Sequence, residues 1–289
     1  MEWCKCCGGR TRAFASLDFS RSCEDPVLPP FPPSGEMVPY VRCETCGFIF
    51  TSYFDAWTAE QMAERIYNAD YHLADPDFAA KRPIGFAHFL MAMLASLRSS
   101  VSALDYGGGE GSMARTMRGN GFDFDAYDPF FSDQPAPSRR FDLVTSFEVV
   151  EHSPDPAGIF ETMLSYLKSD GAILFSTALQ PRYVTSAWSY IAPRNGHISI
   201  HTVLSLRSLA SRFGMRFCSI NHTHLLFRQA TDPVARAILR YDVVDMLWRA
   251  SRRDARSLLE ASLAAAKVGY GLAAFNPRHF LRLLLTAKD

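Results

Sequence analysis

From about residue 101 to 230 the chain alternates short apolar runs with stretches whose apolar residues recur every three or four positions. Val101–Tyr106, Phe122–Tyr127, Phe141–Phe147 and Ala172–Thr177 are short, apolar and bounded by turn-forming residues, and they read as strands. Ser112–Asn120 and Pro156–Lys168 between them read as helices. This alternation predicts an α/β fold with a doubly wound, largely parallel sheet. Met215–Ile220 followed by His224–Arg228 reads as a closing hairpin. Upstream, over 56–100, Ala56–Tyr67 and Phe86–Leu97 carry helical spacing, punctuated by Asp75-Pro76-Asp77 and Arg82-Pro83. Downstream, 231–289 reads as helical throughout, with apolar spacing over Val234–Trp248 and Leu258–Val268.

Residues 1–55 break both patterns. They hold six of the seven cysteines and a proline-rich stretch from Pro26 to Pro39. Proline lacks a backbone N–H and clashes with the preceding turn, so that stretch cannot form regular helix and is expected to be a loop. Four regions result: a cysteine-rich module (1–55), a helical connector (56–100), the α/β domain (101–230) and a C-terminal helical extension (231–289). The C-terminal helices are expected to pack on the core or against the second subunit of a homodimer. Arg252, Arg253 and Arg256 lie between their apolar stretches rather than along one face, which argues against a membrane-surface helix.

Composition narrows the class. The chain has 289 residues, with 30 Lys plus Arg against 30 Asp plus Glu. A neutral chain lacks the field that grips phosphates, so no nucleic-acid partner is expected. No apolar run approaches the ~20 residues that span a bilayer. The start Met1-Glu2-Trp3-Cys4 carries no basic segment followed by an apolar run, so no export signal is read and a cytoplasmic location is expected. Cysteines clustered in a reducing compartment point to metal ligation rather than disulfides.

Cys4-Lys5-Cys6-Cys7-Gly8 and Cys43-Glu44-Thr45-Cys46-Gly47 are two C-x-x-C pairs, each followed by glycine, the pattern of a zinc ribbon. Each pair sits on a tight turn that aims both sulfurs at one point. Cys4, Cys7, Cys43 and Cys46 are therefore expected to close a tetrahedral shell around a structural zinc ion, with Cys6 and Cys23 left over. A segment this small has little core of its own, and the metal would supply the missing stability.

In the α/β region the most informative run is Asp105-Tyr106-Gly107-Gly108-Gly109-Glu110-Gly111. A strand ends in an acidic residue and turns through glycines into a helix whose first N–H groups are free. Dinucleotide-binding folds also use a glycine loop, and a nicotinamide-dependent oxidoreductase is the first alternative. Against it, the glycines are spaced G-x-G-x-G rather than G-x-G-x-x-G, and a carboxylate at Asp105 would repel a pyrophosphate while suiting the amino-acid end of a cationic ligand. Asp128-Pro129, about 20 residues on, ends the next strand, where a carboxylate can accept from both ribose hydroxyls.

The next strand continues into Phe147-Glu148-Val149-Val150-Glu151-His152. Asp105 with its glycines, Asp128 and this run, in this order, resemble class I methyltransferases dependent on S-adenosylmethionine, over roughly residues 80 to 228. The cysteine pairs in front resemble the N-terminal zinc modules of a subset that often modifies sugars or natural products. The resemblance implies a Rossmann-like sheet, a small N-terminal zinc-binding domain, and a cofactor site made of Asp105, Gly107, Gly108, Gly109, Gly111, Asp128, Pro129, Phe147 and Glu148. It implies that Glu151 and His152 begin the next helix, with His152 shaping the pocket. Relatives often carry an acidic residue near the adenine amino group; here that stretch reads Pro135-Ala136-Pro137-Ser138-Arg139-Arg140.

Substrate residues are expected after the strand at Ala172–Thr177, because ligands sit outside the carboxyl ends of such strands. Residues 180–202 contain Tyr183, Trp188, Tyr190, Arg194, His197 and His201, a mixture suited to a polar ring-shaped molecule. An oxygen acceptor must lose a proton, and an imidazole can take it at neutral pH. His197 is the first choice as base and His201 the second. Tyr67, Tyr71 and Arg82 lie in the connector, which in relatives folds over the cofactor; packing and surface charge are the plainer reading of each. The expected activity is methylation of a small molecule, with O-methylation of a sugar or natural-product hydroxyl ahead of a carbon or nitrogen acceptor. A non-catalytic zinc-ribbon protein with a degenerate methyltransferase fold is the second alternative.

Overall fold

The computed structural model describes residues 2–79, 81–130, 135–220 and 223–241. Met1–Ala237 form one compact unit and Ile238–Asp289 a second. Of the C-terminal extension, residues 231–241 are among those described, helical from 233; the rest of it lies outside them, including the expected helix over Leu258–Val268.

The centre is a six-stranded sheet in the order β5-β4-β6-β7-β10-β9. β4 (Ser102–Tyr106), β5 (Asp123–Tyr127), β6 (Phe141–Phe147) and β7 (Leu167–Ser176) run parallel, and β9 (Arg216–Ile220) with β10 (Thr223–Phe227) closes the sheet as an antiparallel hairpin. This is the α/β parallel architecture expected. Register places Tyr106 beside Tyr127 and Phe147 beside Ser176. Four loops therefore leave the sheet on one edge, beginning at residues 107, 128, 148 and 177.

The crossover helices follow their sequence signals. α4 (Ser112–Gly119) buries Met113, Ala114 and Met117, spaced on one face. α5 (Pro156–Ser165) starts on Asp155, whose Oδ1 accepts from the N–H groups of Ala157 and Gly158 at 3.1 and 3.0 Å, and Pro156 fills a first-turn position where no donor is needed. It ends three residues before Lys168, because the chain re-enters the sheet at Leu167. In the connector, α1 (Ala59–Arg65) is opened by a Thr58–Gln61 capping box and is followed by the short α2 (Tyr71–Ala74). α3 (Lys81–Met93) begins ahead of the expected Phe86, since Pro83 is tolerated in its first turn. α6 (Val203–Arg212), which the sequence reading missed, starts on a Thr202–Ser205 capping box.

The N-terminal segment holds more strand than its composition suggests. β1 (Thr11–Asp18) pairs antiparallel with β2 (Met37–Cys43), and β2 with the two-residue β3 (Ile49–Phe50). Pro39, expected in the loop, lies inside β2. The β3 pairing begins only at Val41, so the missing N–H of Pro39 breaks no bond on that side. β3 then pairs with β8 (Ser199–Ile200), from the segment that follows β7. Gln180 Nε2 donates to the carbonyls of Gly47 and Ile200, and Thr202 Oγ1 to that of Cys46. The cysteine-rich segment is thereby stitched to residues 180–202. Among the described residues no helix is long and apolar enough to cross a membrane.

Candidate active site and candidate metal centre

The two C-x-x-C turns are built alike. In each, the first cysteine accepts a backbone bond from the following glycine (Gly8 N–H to Cys4 O, 2.9 Å; Gly47 N–H to Cys43 O, 3.1 Å), and both glycines adopt positive φ. Thr45 and Cys46 direct backbone N–H groups at Cys43 Sγ, at 3.3 and 3.4 Å. Sulfurs from Cys4, Cys7, Cys43 and Cys46 all lie within 4.8 Å of one another, with Cys4–Cys46 at 3.6 Å and Cys7–Cys43 at 3.5 Å. Four ligands at ~2.3 Å from a tetrahedral zinc stand ~3.8 Å apart, so the donor set fits that ion. Cys6 is buried beside the cluster without joining it, and burial raises its thiol well above the usual range. Cys23 belongs elsewhere, with its sulfur 3.8 Å from His197 Nδ1.

At the carboxyl edge of the sheet, β4 delivers Asp105 into the core, 3% exposed. Burial pushes its carboxyl up to about 7, against the opposing hydrogen bond from Thr145 Oγ1 at 3.2 Å. The chain then turns through Gly107, Gly109 and Gly111, with φ of 76°, 56° and 75°. A Cβ on Gly107 would stand 2.8 Å from both methyls of Val149, and one on Gly108 would stand 2.2 Å from Asp105 Oδ2. The loop is thus shaped by absent side chains. Asp128 directly follows β5, with Oδ2 accepting from Gly109 N–H and Oδ1 from Phe130 N–H, both at 2.9 Å. The acidic end of one strand holds the glycine turn of its neighbour.

Phe147 ends β6 and stacks on Phe86 of α3, with ring centroids 4.1 Å apart and planes 8° apart. Glu148 follows at φ 55°, the only non-glycine with positive φ among the described residues. Ser176 at the end of β7 secures it, accepting from its backbone N–H at 2.9 Å and donating to its Oε1 at 2.5 Å. Glu151 and His152 lie in a separate 3-10 turn, Val150–His152. Ser153 leaves the helical region and Asp155 caps α5, so they do not begin that helix as expected.

The segment after β7 converges on that turn. His197 is 6% exposed, and its Nδ1 lies 2.7 Å from the Tyr190 carbonyl. The His152 ring sits 5.1 Å from the His197 ring, with its Nδ1 3.0 Å from Gly196 O. Burial lowers both imidazoles, to about 4 for His152 and about 3 for His197, so both are neutral at neutral pH. Glu151 is fully buried and accepts from Tyr190 OH at 2.7 Å. Burial, reinforced by the charge of Glu148, raises its carboxyl to about 8.

Other expected residues fall elsewhere. His201 is fully buried, packed against the Phe48 ring with centroids 4.9 Å apart and planes tilted by 35°, and 3.3 Å from Ser205 Oγ through Nδ1; burial lowers it to about 3. Arg194 is spent on structure, donating to Ile66 O and Asn68 Oδ1. Tyr183 is 80% exposed. Arg82 is locked to Asp75 by two 2.8 Å bonds. The sequence reading missed the role of Glu151 as part of a polar cluster; its signal was the Glu-His pair just past a parallel strand. Nothing in the sequence pointed to Tyr190 as the residue that joins Glu151 to His197.

Residues 57–219 match the family model described as a methyltransferase domain. Over 40 residues the chain is 42% identical to a ubiquinone biosynthesis O-methyltransferase from Actinobacillus pleuropneumoniae serotype 5b (strain L20); this stretch covers 14% of the chain and 17% of that relative. Among solved structures, an O-methyltransferase family protein from Burkholderia thailandensis is 14% identical, over 59% of this chain and 62% of that one, at a TM-score of 0.44. Magnesium protoporphyrin IX methyltransferase from Synechocystis PCC 6803, solved with bound SAM, is 14% identical, over 60% of this chain and 91% of that one, at a TM-score of 0.37. With more than half of its length matched by the family model, and with its parallel sheet and glycine turn in the expected order, the chain belongs to the methyltransferase-domain family and has the Rossmann-like fold of class I, S-adenosylmethionine-dependent methyltransferases.

Proposed function

We propose that this protein transfers a methyl group from S-adenosylmethionine to a hydroxyl of a small polar molecule, a sugar or a related natural product. The observation that carries the reading is the bond between Asp128 and Gly109 N–H, which fixes a side-chain-free turn beside a buried acidic strand end. These residues suit a cationic nucleoside. Asp128 offers carboxylate oxygens to a ribose diol, and Asp105 offers negative charge to an ammonium. Gly107, Gly108, Gly109 and Gly111 supply bare backbone, and Pro129, Phe147 and Glu148 complete the wall. Bound there, the cofactor supplies a methyl group on a positively charged sulfur, which departs as a neutral thioether.

The chain's own task is to align the acceptor and relieve it of a proton. Val149 packs against Gly107, so the turn bearing Glu151 and His152 adjoins the glycine loop. His197 joins that turn through its ring contact with His152. We assign acceptor activation to His197, whose Nδ1 is committed to a carbonyl and whose Nε2 keeps the lone pair. It is preferred to His201, which packs on Phe48. Cys4, Cys7, Cys43 and Cys46 hold a structural zinc ion that ties the N-terminal strands to the segment bearing His197.

Cofactor titration followed by methyl transfer to a panel of hydroxylated acceptors tests the reading. His197→Ala is expected to bind cofactor normally and to lose ~100-fold or more in turnover. A chain that binds a dinucleotide instead of S-adenosylmethionine would refute the assignment.

A further inference from the structure

Glu151, His152 and His197 each present one ligand atom within 4.8 Å of the other two. Hydrogen bonding shows which atoms keep a lone pair to offer. His152 Nδ1 meets the Gly196 carbonyl at 3.0 Å and His197 Nδ1 meets the Tyr190 carbonyl at 2.7 Å. A carbonyl only accepts, so each Nδ1 carries the ring's hydrogen and each Nε2 is left with a lone pair. An imidazole held this way through its remote nitrogen is the arrangement that orients metal-binding histidines. Glu151 Oε1 is taken by Tyr190 OH at 2.7 Å, whereas its Oε2 is buried with no hydrogen-bond partner. A buried carboxyl oxygen with no hydrogen-bond partner is costly, and a cation would satisfy it in place of the carboxyl's own proton. The surroundings do not supply one. Glu148 adds negative charge, and the nearby Arg82 is committed through both terminal nitrogens to Asp75.

We propose that Glu151 Oε2, His152 Nε2 and His197 Nε2 form a second metal site, for a first-row divalent cation. Two imidazoles and one carboxylate suit zinc, cobalt or ferrous iron rather than magnesium or calcium, and they differ in kind from the four thiolates of the first site. Three protein ligands leave coordination open. An ion there would act as a Lewis acid toward the acceptor hydroxyl, lowering its pKa so that the proton passes to solvent; His197 then activates the acceptor as a ligand of the ion rather than by taking the proton at Nε2. This role rests on the proposed methyl transfer; the site itself does not.

The test is a cobalt(II) titration of the full chain already carrying zinc at its cysteines, followed by visible absorption and calorimetry. One further equivalent is expected, with ligand-field bands and no sulfur-to-cobalt charge transfer. His152→Gln and Glu151→Gln are each expected to weaken it ~10- to 100-fold while zinc content and cofactor binding stay constant. Absence of cobalt uptake outside the cysteine site by the unaltered chain overturns the proposal, as does equal affinity in folded variants. Because the readout is metal binding, its failure leaves methyl transfer standing. Conversely, cobalt binding in a chain that transfers no methyl group sinks only the assigned activity.

Discussion

Tyr190 OH donates to Glu151 Oε1 at 2.7 Å, across 39 residues of chain. The same phenol accepts from Ala178 N–H at 3.1 Å and stands 3.1 Å from Thr177 Oγ1, while the Tyr190 carbonyl holds His197 Nδ1. One residue thus fixes both the acid and the imidazole. Tyr190→Phe removes the donor to Glu151 and leaves the carbonyl bond to His197 in place. The variant is expected to lose about 1–3 kcal/mol of stability in urea unfolding, the range for a buried polar group left unpaired. It should also lower kcat more than it raises the KM for cofactor. An unchanged kcat would show that the orientation of Glu151 does not matter to the reaction.

Asp105 gives a pH dependence with a defined sign. Its folded-state value, about 7, is raised above the ordinary 3.8, so its contribution to the cofactor-free fold is fully present below about 3.8 and is lost as pH rises through 7. Ligand binding runs the other way, because an ammonium group pairs with the ionised form. Affinity for S-adenosylmethionine is expected to tighten between roughly one unit below and one unit above pH 7, and Asp105→Asn should flatten that dependence. Titrations of both proteins at the two pH values decide the matter; parallel curves would free Asp105 of this role.

The glycine turn is tested at Gly107. Its φ of 76° costs an L-residue about 1–2 kcal/mol, and a Cβ there would collide with Val149 at 2.8 Å. Gly107→Ala is expected to lower both thermal stability and cofactor affinity. Adding Val149→Ala should recover the steric part and leave the conformational part. Thermal melts of the single and double variants, with and without cofactor, separate the two.

The cysteine site is tested by Cys43→Ser, which removes one thiolate and the sulfur that accepts from Thr45 and Cys46 N–H. Zinc content is expected to fall by one ion per chain. Because β3 pairs with β8, the damage should spread to residues 199–202, and hydrogen exchange there should quicken. Exchange confined to residues 1–55 would mean that the metal stabilises only its own turns.

The sequence by itself determined the parallel core. Strands β4 to β7 are short apolar runs spaced by helix-length stretches, a pattern that has few other ways to bury itself. It also determined the local devices, namely the paired C-x-x-C turns, the glycine run after Asp105 and the Asp155-Pro156 helix start, because each acts within a few residues of its own chain. Tertiary structure alone decided the rest. β1, β2 and β8 exist through partners far along the chain, and Pro39 hid β2 from any local rule. The cluster of Glu151, His152 and His197 is a meeting of two loops 45 residues apart, settled by Tyr190 and by backbone carbonyls that carry no sequence signature. Hydrophobic periodicity is written residue by residue, whereas the direction of a buried lone pair depends on which backbone happens to pass beside it.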